Sequence, residues 1–415
     1  MGLTVSAQEI IKDRMIRKRE AFLNLSKGAY LSSKVAVLFF ISAYQSFMFV
    51  LIGNGILEIH DMNLKYFFML FAVWVNANLM GLNISDAFKT TVTIYILIPF
   101  LIIPQIALSG VLISFDKLNP AISTPGRVPW YGDLMVSRWA FEGLAVEQFK
   151  NNVYEAPLYA YEKQMQYSLI KKDFWLTVLE NKVAYYERNY RDIYKKSIID
   201  ENLKTLRNEI ASENSVNKTV KADFELENLC FEKINDELLQ KLKTYFQNLR
   251  SYYTMSYKEA SSAKDTYVTG KQATENSKEV YLNLKRRYYN EALAEFVTSS
   301  KETDRIVEYE NRIYQKTNPV YLDPQGGFLK SHFYSPVKNF LGYRIETFWA
   351  NLCVIWIITV ILYITLYFGI LRKILLRFDE VAHDYDDKCE EKMILQGQAN
   401  AKNRRKKISD LKIFR

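Results

Sequence analysis

Cysteine and histidine are scarce in this chain of 415 residues. There are three of each: Cys230, Cys353 and Cys389, and His60, His332 and His383. They lie far apart in sequence, and no zinc-type spacing links them. A glycine-rich phosphate loop is missing, because Gly270-Lys271-Gln272 lacks both the spacing and the hydroxyl of that motif. No Ser/His/Asp, Cys/His or H-E-x-x-H arrangement is visible. The pairs Asp386-Asp387 and Glu390-Glu391 sit in a charged tail and read as solvated. These absences leave no catalytic, metal-ligating or cofactor-binding residue to name, and the chain is read as not an enzyme. Glycine and proline are nearly missing between Leu158 and Asn318, so little there interrupts a helix.

Charge is also missing, but locally. The run TVTIYILIPFLIIPQIALSGVLISF, from Thr91 to Phe115, carries none. At about 25 residues it is long enough to cross a hydrocarbon core of about 30 Å. Pro99 and Pro104 are expected to kink it, which a membrane helix tolerates when neighbours satisfy the freed carbonyls. Three other apolar stretches run from about Lys34 to Leu57, Leu64 to Leu82 and Thr347 to Gly369. Gln45, Asn76 and Asn78 interrupt the first two of these. Such residues face either other helices or a water-filled path. After Phe115, Asn119-Pro120, Pro125-Gly126 and Pro129-Trp130-Tyr131 mark turns, and SRWAFEGLAVEQF (Ser137 to Phe149) reads as an aromatic-rich amphipathic segment. A bent span followed by an interfacial hairpin suggests a gate.

The chain is basic, with formal charge +9. Its densest Lys/Arg clusters flank the apolar runs, so the excess points to membrane flanks and not to nucleic acid. Lys12, Arg14, Arg17, Lys18 and Arg19 precede the first span, and Arg372, Lys373, Arg377 and the run Arg404 to Lys407 follow the last. The asymmetry puts both termini in the cytoplasm and residues from about 116 to 346 outside. Cys230 and Cys389 then fall on opposite sides of a bilayer and Cys353 inside it, so no internal disulfide is expected. Residues 1–33 are basic and amphipathic, with Ile10, Ile11, Met15, Phe22 and Leu23 near one face. They fit a helix lying on the cytoplasmic leaflet or one docked on a cytosolic motor domain.

In the long outer block, Leu176, Leu179, Val183, Tyr186, Tyr190 and Ile193 recur at steps of three and four, as do Leu238, Leu242, Tyr245, Leu249 and Tyr252. That spacing is a coiled-coil seam. Residues 214–218 read as a turn between long helices, and Val280, Leu284, Tyr288, Ala292 and Phe296 as a further helix. The expected fold is an all-α membrane protein with four transmembrane helices and a large external helical, coiled-coil insert. Its expected parts are an amphipathic connecting helix (1–33), three spans (34–115), a re-entrant or interfacial hairpin (116–157), an external stalk (158–346), the last span (347–371) and a basic cytoplasmic tail (372–415).

The order of these features resembles the membrane domain of G-subfamily ABC transporters. Arg19-Glu20 stand where that family's connecting helix has an Arg-Glu pair, and Ala29-Tyr30 followed by Lys34 where it enters the third span. Ser109-Gly110-Val111-Leu112 match its S-G-L-L-like plug. Arg138-Trp139-Ala140-Phe141-Glu142-Gly143-Leu144 and Glu147-Gln148-Phe149 stand in the place of its re-entrant motif, with Trp for Tyr and the acid one position early. The segment HFYSPVK…TFWANLCVIW is similar to permeases of Bacteroidetes-type bacteria.

The resemblance covers about residues 8–150 and the last span. It implies that Arg17, Arg19, Glu20 and Tyr30 couple to a motor and that Ser109 to Leu112 form a gate. It also implies a homodimer or pseudo-dimer in the bacterial inner membrane. ATP and Mg would sit on an associated ABC ATP-binding domain. Four spans would correspond to the family's third to sixth, so the chain is expected to be an amino-terminally truncated fragment or a separately encoded half.

Three functions compete. The first is the permease of an ATP-driven exporter of an unidentified, lipid or amphipathic substrate. The second is a mechanical transmitter that works a periplasmic partner through the stalk. The third is a structural membrane anchor.

Overall fold

The computed structural model describes residues 2–19, 22, 26–88, 90–119, 122–324, 326–340 and 342–378. Helix dominates. The chain divides into two compact units. One comprises Met1–Ala43, Trp74–Phe100 and Ile357–Arg415, and the other Tyr44–Val73 and Leu101–Trp356.

The first unit opens with two short helices, α1 (Gly2–Ser6) and α2 (Glu9–Arg19). Among the described residues three helices are long and apolar enough to cross a membrane: α3 (Lys27–Ile56), α4 (Asn63–Ala87) and, near the end of the chain, α14 (Thr347–Phe368). More than half of the apolar window of α4 is buried against protein, whereas α3 and α14 leave most of theirs open. With this apolar span and the exposed aliphatic faces, the protein is a membrane protein.

The uncharged run expected to span from Thr91 to Phe115 instead forms the shorter α5 (Thr91–Ala107). Its 17 residues reach about 25 Å, at the lower limit for a helix that crosses a hydrocarbon core of about 30 Å. The helix passes through Pro99 and Pro104. It ends because Ser109 Oγ donates to the Ile106 carbonyl (2.8 Å) and accepts from Val111 N (3.3 Å), and because Gly110 takes φ of 79°. That left-handed geometry is a common helix stop.

Within the first unit, polar groups tie the spans together. Asn78 donates to Ser42 Oγ (2.7 Å), Asn76 to Thr359 Oγ1 (3.1 Å) and Asn83 to the Leu362 carbonyl (2.9 Å). In an apolar medium such bonds hold helices in register. Gly81 lets α1 lie directly on α4: a Cβ there would overlap Ser6 Oγ and sit 2.8 Å from the Leu3 carbonyl oxygen. The expected amphipathic face of the N-terminal segment is only partly used. Ile10 is buried, while Met15 and Phe22 are exposed, and Leu23 lies outside the described residues.

The second unit carries the hairpin of α6 (Trp130–Asp133) and α7 (Val136–Lys150) and the long insert. The insert's helices are α8 (Ala156–Leu169), α9 (Leu176–Asn189), α10 (Lys196–Val216), α11 (Asp236–Lys271), α12 (Glu275–Tyr288) and α13 (Glu291–Thr298). A π-helical turn, Ile170–Trp175, joins α8 to α9. The Asn235 side chain caps α11 by accepting from Leu238 N. α8, the π turn and α9 pack along α11, and α10 packs on α9.

The expected stripes are buried here: Leu176, Leu179, Val183 and Tyr186 on α9, and Leu238, Leu242, Tyr245 and Leu249 on α11. The α9 stripe stops where the helix does. Tyr190 and Ile193 are exposed. The helix expected over 280–296 is two helices broken at Asn290, which caps α13. Its register is one residue off, because Tyr281 and Val297 are buried and Val280 and Phe296 exposed. Two antiparallel hairpins complete the unit: β1 (Ile306–Tyr309) with β2 (Arg312–Gln315), and β3 (Val337–Phe340) with β4 (Tyr343–Glu346). The sequence reading contained no strands.

Candidate functional site

In the first unit, α2 is fastened to the ends of two spans. Arg14 donates to the carbonyls of Asp86 (3.2 Å) and Phe88 (3.0 Å), groups left open at the C-terminal end of α4. Lys34 of α3 bridges Glu9 (3.0 Å) and Asp13 (2.9 Å). Tyr30 donates to Asp13 (2.8 Å), with the Arg17 guanidinium 4.5 Å from its ring centroid. Burial opposes charge on Asp13, but Lys34 and Tyr30 outweigh it and hold the carboxyl below its usual range. Two of the candidate coupling residues, Arg17 and Tyr30, therefore meet. Arg19 is exposed at the end of α2, and Glu20 lies outside the described residues. Lys12, Met15, Ile16, Lys18 and Arg19 leave an uncovered face.

The candidate path residues Asn76 and Asn78 use their amides on Thr359 and Ser42, as given above, and Gln45 is half-buried on α3. In the second unit, Ser109, Gly110, Val111 and Leu112 form a turn beyond α5. Ser109 is buried, Val111 half-buried and Leu112 70% exposed. The Phe115 ring fills the space where a Gly110 side chain would stand. This turn lines a cavity of about 350 Å³ whose other walls include Gly126, Arg127, residues of α13 and just beyond it, and residues between 315 and 334.

The most densely built part of the second unit is a group of buried charges on the hairpin. Arg138 and Glu142, one turn apart on α7, pair at 3.2 Å, and Arg138 also reaches Asp133 at 2.5 Å. Lys338 of β3 closes on the other Glu142 oxygen at 2.7 Å and on Ser331 Oγ at 2.9 Å. Asn351 of α14 donates to Glu142 (3.0 Å) and to the Trp139 carbonyl (2.9 Å). The Arg138 guanidinium lies 3.8 Å from the Trp139 ring centroid, and that ring stacks on Phe328. Glu142 and Lys338 are both fully buried. Burial alone would raise the Glu142 carboxyl, but Lys338 and Arg138 outweigh it and keep the group below its usual range. Lys338 is pushed down to about 8, chiefly by burial, with Arg138 adding to the effect.

The cluster thus clamps α7, β3 and the start of α14 to one another. Of its members, Arg138 and Trp139 are candidate site residues named from the sequence, while Glu142, Lys338 and Asn351 lie in the stretches that carry the resemblance and have no role assigned there. Glu147 lies apart from it and pairs with Lys65 at 2.9 Å. Phe149 packs against Tyr321.

Among the described residues no group of His, Cys, Asp and Glu could hold a metal. No curated protein and no solved structure matches the chain. Residues 1–149, from α1 through almost the whole of α7, match the family model described as ABC-2 type transporter.

Proposed function

We propose that this chain supplies the permease of an ATP-driven ABC-type exporter. ATP and its Mg are held by a cassette domain outside these residues, and both termini lie in the cytoplasm of a bacterial inner membrane. Two copies form a central path in the bilayer, closed by Val111 and Leu112. Exposed apolar side chains in that turn suit a contact between symmetry mates, and an apolar constriction disfavours wetting.

The observation that carries this reading is α2. It is held to the spans by Arg14 and Lys34 on one side and leaves Lys12, Met15, Lys18 and Arg19 open on the other, within the stretch that matches the family. A motor can push on such a helix and move spans. Arg19→Glu in the complete transporter is expected to leave assembly and ATP hydrolysis in place while transport per ATP falls several-fold. Coupling equal to wild type would reduce α2 to a surface helix.

A second reading has its own support. The Lys338–Glu142–Asn351 clamp ties the insert's β3 to the hairpin and to α14. Through it, movement of a span would reach the insert and whatever periplasmic partner it engages, with no substrate path needed.

A further inference from the structure

Two cavities of the second unit share walls. Gly126, Arg127, Gln315 and His332 line both. The first, about 350 Å³, is within the range of small-molecule sites, about 300–1,000 Å³. Its side next to the turn after α5 is apolar, with Leu112, Ile113 and Phe296 all well exposed to the opening. The second, about 200 Å³, runs from Arg127 past β2 to the π turn, where Lys171 and Trp175 line it. Such turns inside helices recur at functional sites.

The charge of these walls is uneven. Together they carry seven Lys and Arg against four Asp and Glu. Each acid is already engaged. Glu302 pairs with Lys117 (2.9 Å), Glu295 with Lys301 (2.6 Å) and Asp323 with Lys163 (2.5 Å). Glu209 accepts from Trp175 Nε1 (2.6 Å) and Ile313 N (3.0 Å). Arg127, Arg312 and Lys330 are exposed and make no ion pair or side-chain hydrogen bond with a described residue. Cations left without a partner beside an open apolar wall complement a molecule that is anionic at one end and apolar at the other. Arginine's planar fork suits a phosphate or carboxylate head.

We propose that the joined cavities bind an amphipathic anion. Its apolar part lies against Leu112, Ile113 and Phe296, and its head between Arg127, Arg312 and Lys330. The proposal rests on the permease reading only in making that molecule cargo; binding itself needs no ATP.

The test uses the full chain in phosphatidylcholine nanodiscs, with dodecyl phosphate as probe and empty nanodiscs subtracted in calorimetry. Saturable binding is expected. Arg127→Gln with Arg312→Gln should weaken it by at least about tenfold. Both side chains are exposed, so an unchanged thermal midpoint should show that the variant folds. Phe296→Ser should weaken dodecyl phosphate and leave inorganic phosphate unaffected. Nanodiscs doped with phosphatidylglycerol separate the sources: competition supports a bilayer lipid in this site, and its absence supports a water-borne amphiphile.

Wild-type affinity in the double variant would overturn the proposal. So would inorganic phosphate or dodecyltrimethylammonium binding as tightly as dodecyl phosphate. Intact binding in a protein that shows no ATP-coupled transport would remove the permease reading and leave the site. Coupled transport with no such binding would do the reverse.

Discussion

Glu142 shows what single residues do here. It is fully buried and faces two cations, Lys338 at 2.7 Å and Arg138 at 3.2 Å. Taking away one member leaves another charge buried without its partner, which typically costs about 3–5 kcal/mol. Glu142→Gln should lower the thermal midpoint of the purified protein strongly, and Lys338→Met should do so as well. The pair together should cost less than the sum, because the double variant strands fewer charges. Strict additivity would mean that the two side chains do not sense each other.

Glu155 gives a pH signature of opposite sense to the usual carboxylate. Burial, reinforced by Glu162, pushes it up from 4.5 to about 7. Between those values the folded chain holds a proton that the unfolded chain releases. Its contribution is therefore fully present below about 4.5 and lost as pH rises through 7, on the order of 2–3 kcal/mol. Glu155→Gln, which cannot ionise, should melt higher than wild type at pH 8 and converge with it near pH 4.5. A constant offset at all pH values would contradict this. His332 works the other way. Burial pushes its ring down to about 4, so its stabilisation is present above its ordinary 6.5 and lost as pH falls through 4.

At the scale of elements, the insert depends on α11. Leu242 is 1% exposed in the core formed with α9 and α10. Leu242→Ala should cost about 2–5 kcal/mol by opening a cavity, and hydrogen exchange should rise in α9 and α11 together. Exchange confined to α11 would mean that the helices do not share one core. The stripes on α9 and α11 were legible in sequence because three-four spacing is local to one helix.

Other features were not legible in the same way. The break at Asn290 is a side-chain cap, and it outcompeted a continuous spacing of four that had read as one helix. The β hairpins are only four residues per strand, too short for a pattern of alternation to show. Ser109-Gly110 stand within the uncharged run expected to span the membrane. The same small residues instead end α5, since Gly110 at φ of 79° satisfies a helix stop more readily than a helix interior. The Lys338–Glu142 pair joins residues 196 apart. Only the Arg138–Glu142 spacing of four within an apolar segment hinted at it.

For the whole molecule, the decisive question is the side on which the insert lies. The cations of α2 precede α3, and Arg372, Lys373 and Arg377 follow α14. Such clusters stay with the cytoplasmic leaflet, and α2 and the segment after α14 belong to the same compact unit. The insert belongs to the other unit. On the proposed topology, with both termini in the cytoplasm, α3, α4 and α5 each cross the bilayer and the insert stands outside. Ser215 lies in the last turn of α10 and is exposed, so a cysteine there reports the side directly. A membrane-impermeant thiol reagent should label Ser215→Cys in intact spheroplasts as fully as after inner-membrane permeabilisation, against a background of wild-type cysteines measured in parallel. Labelling that appears only after permeabilisation would turn the molecule over. The insert would then face the cytoplasm, against the proposed topology.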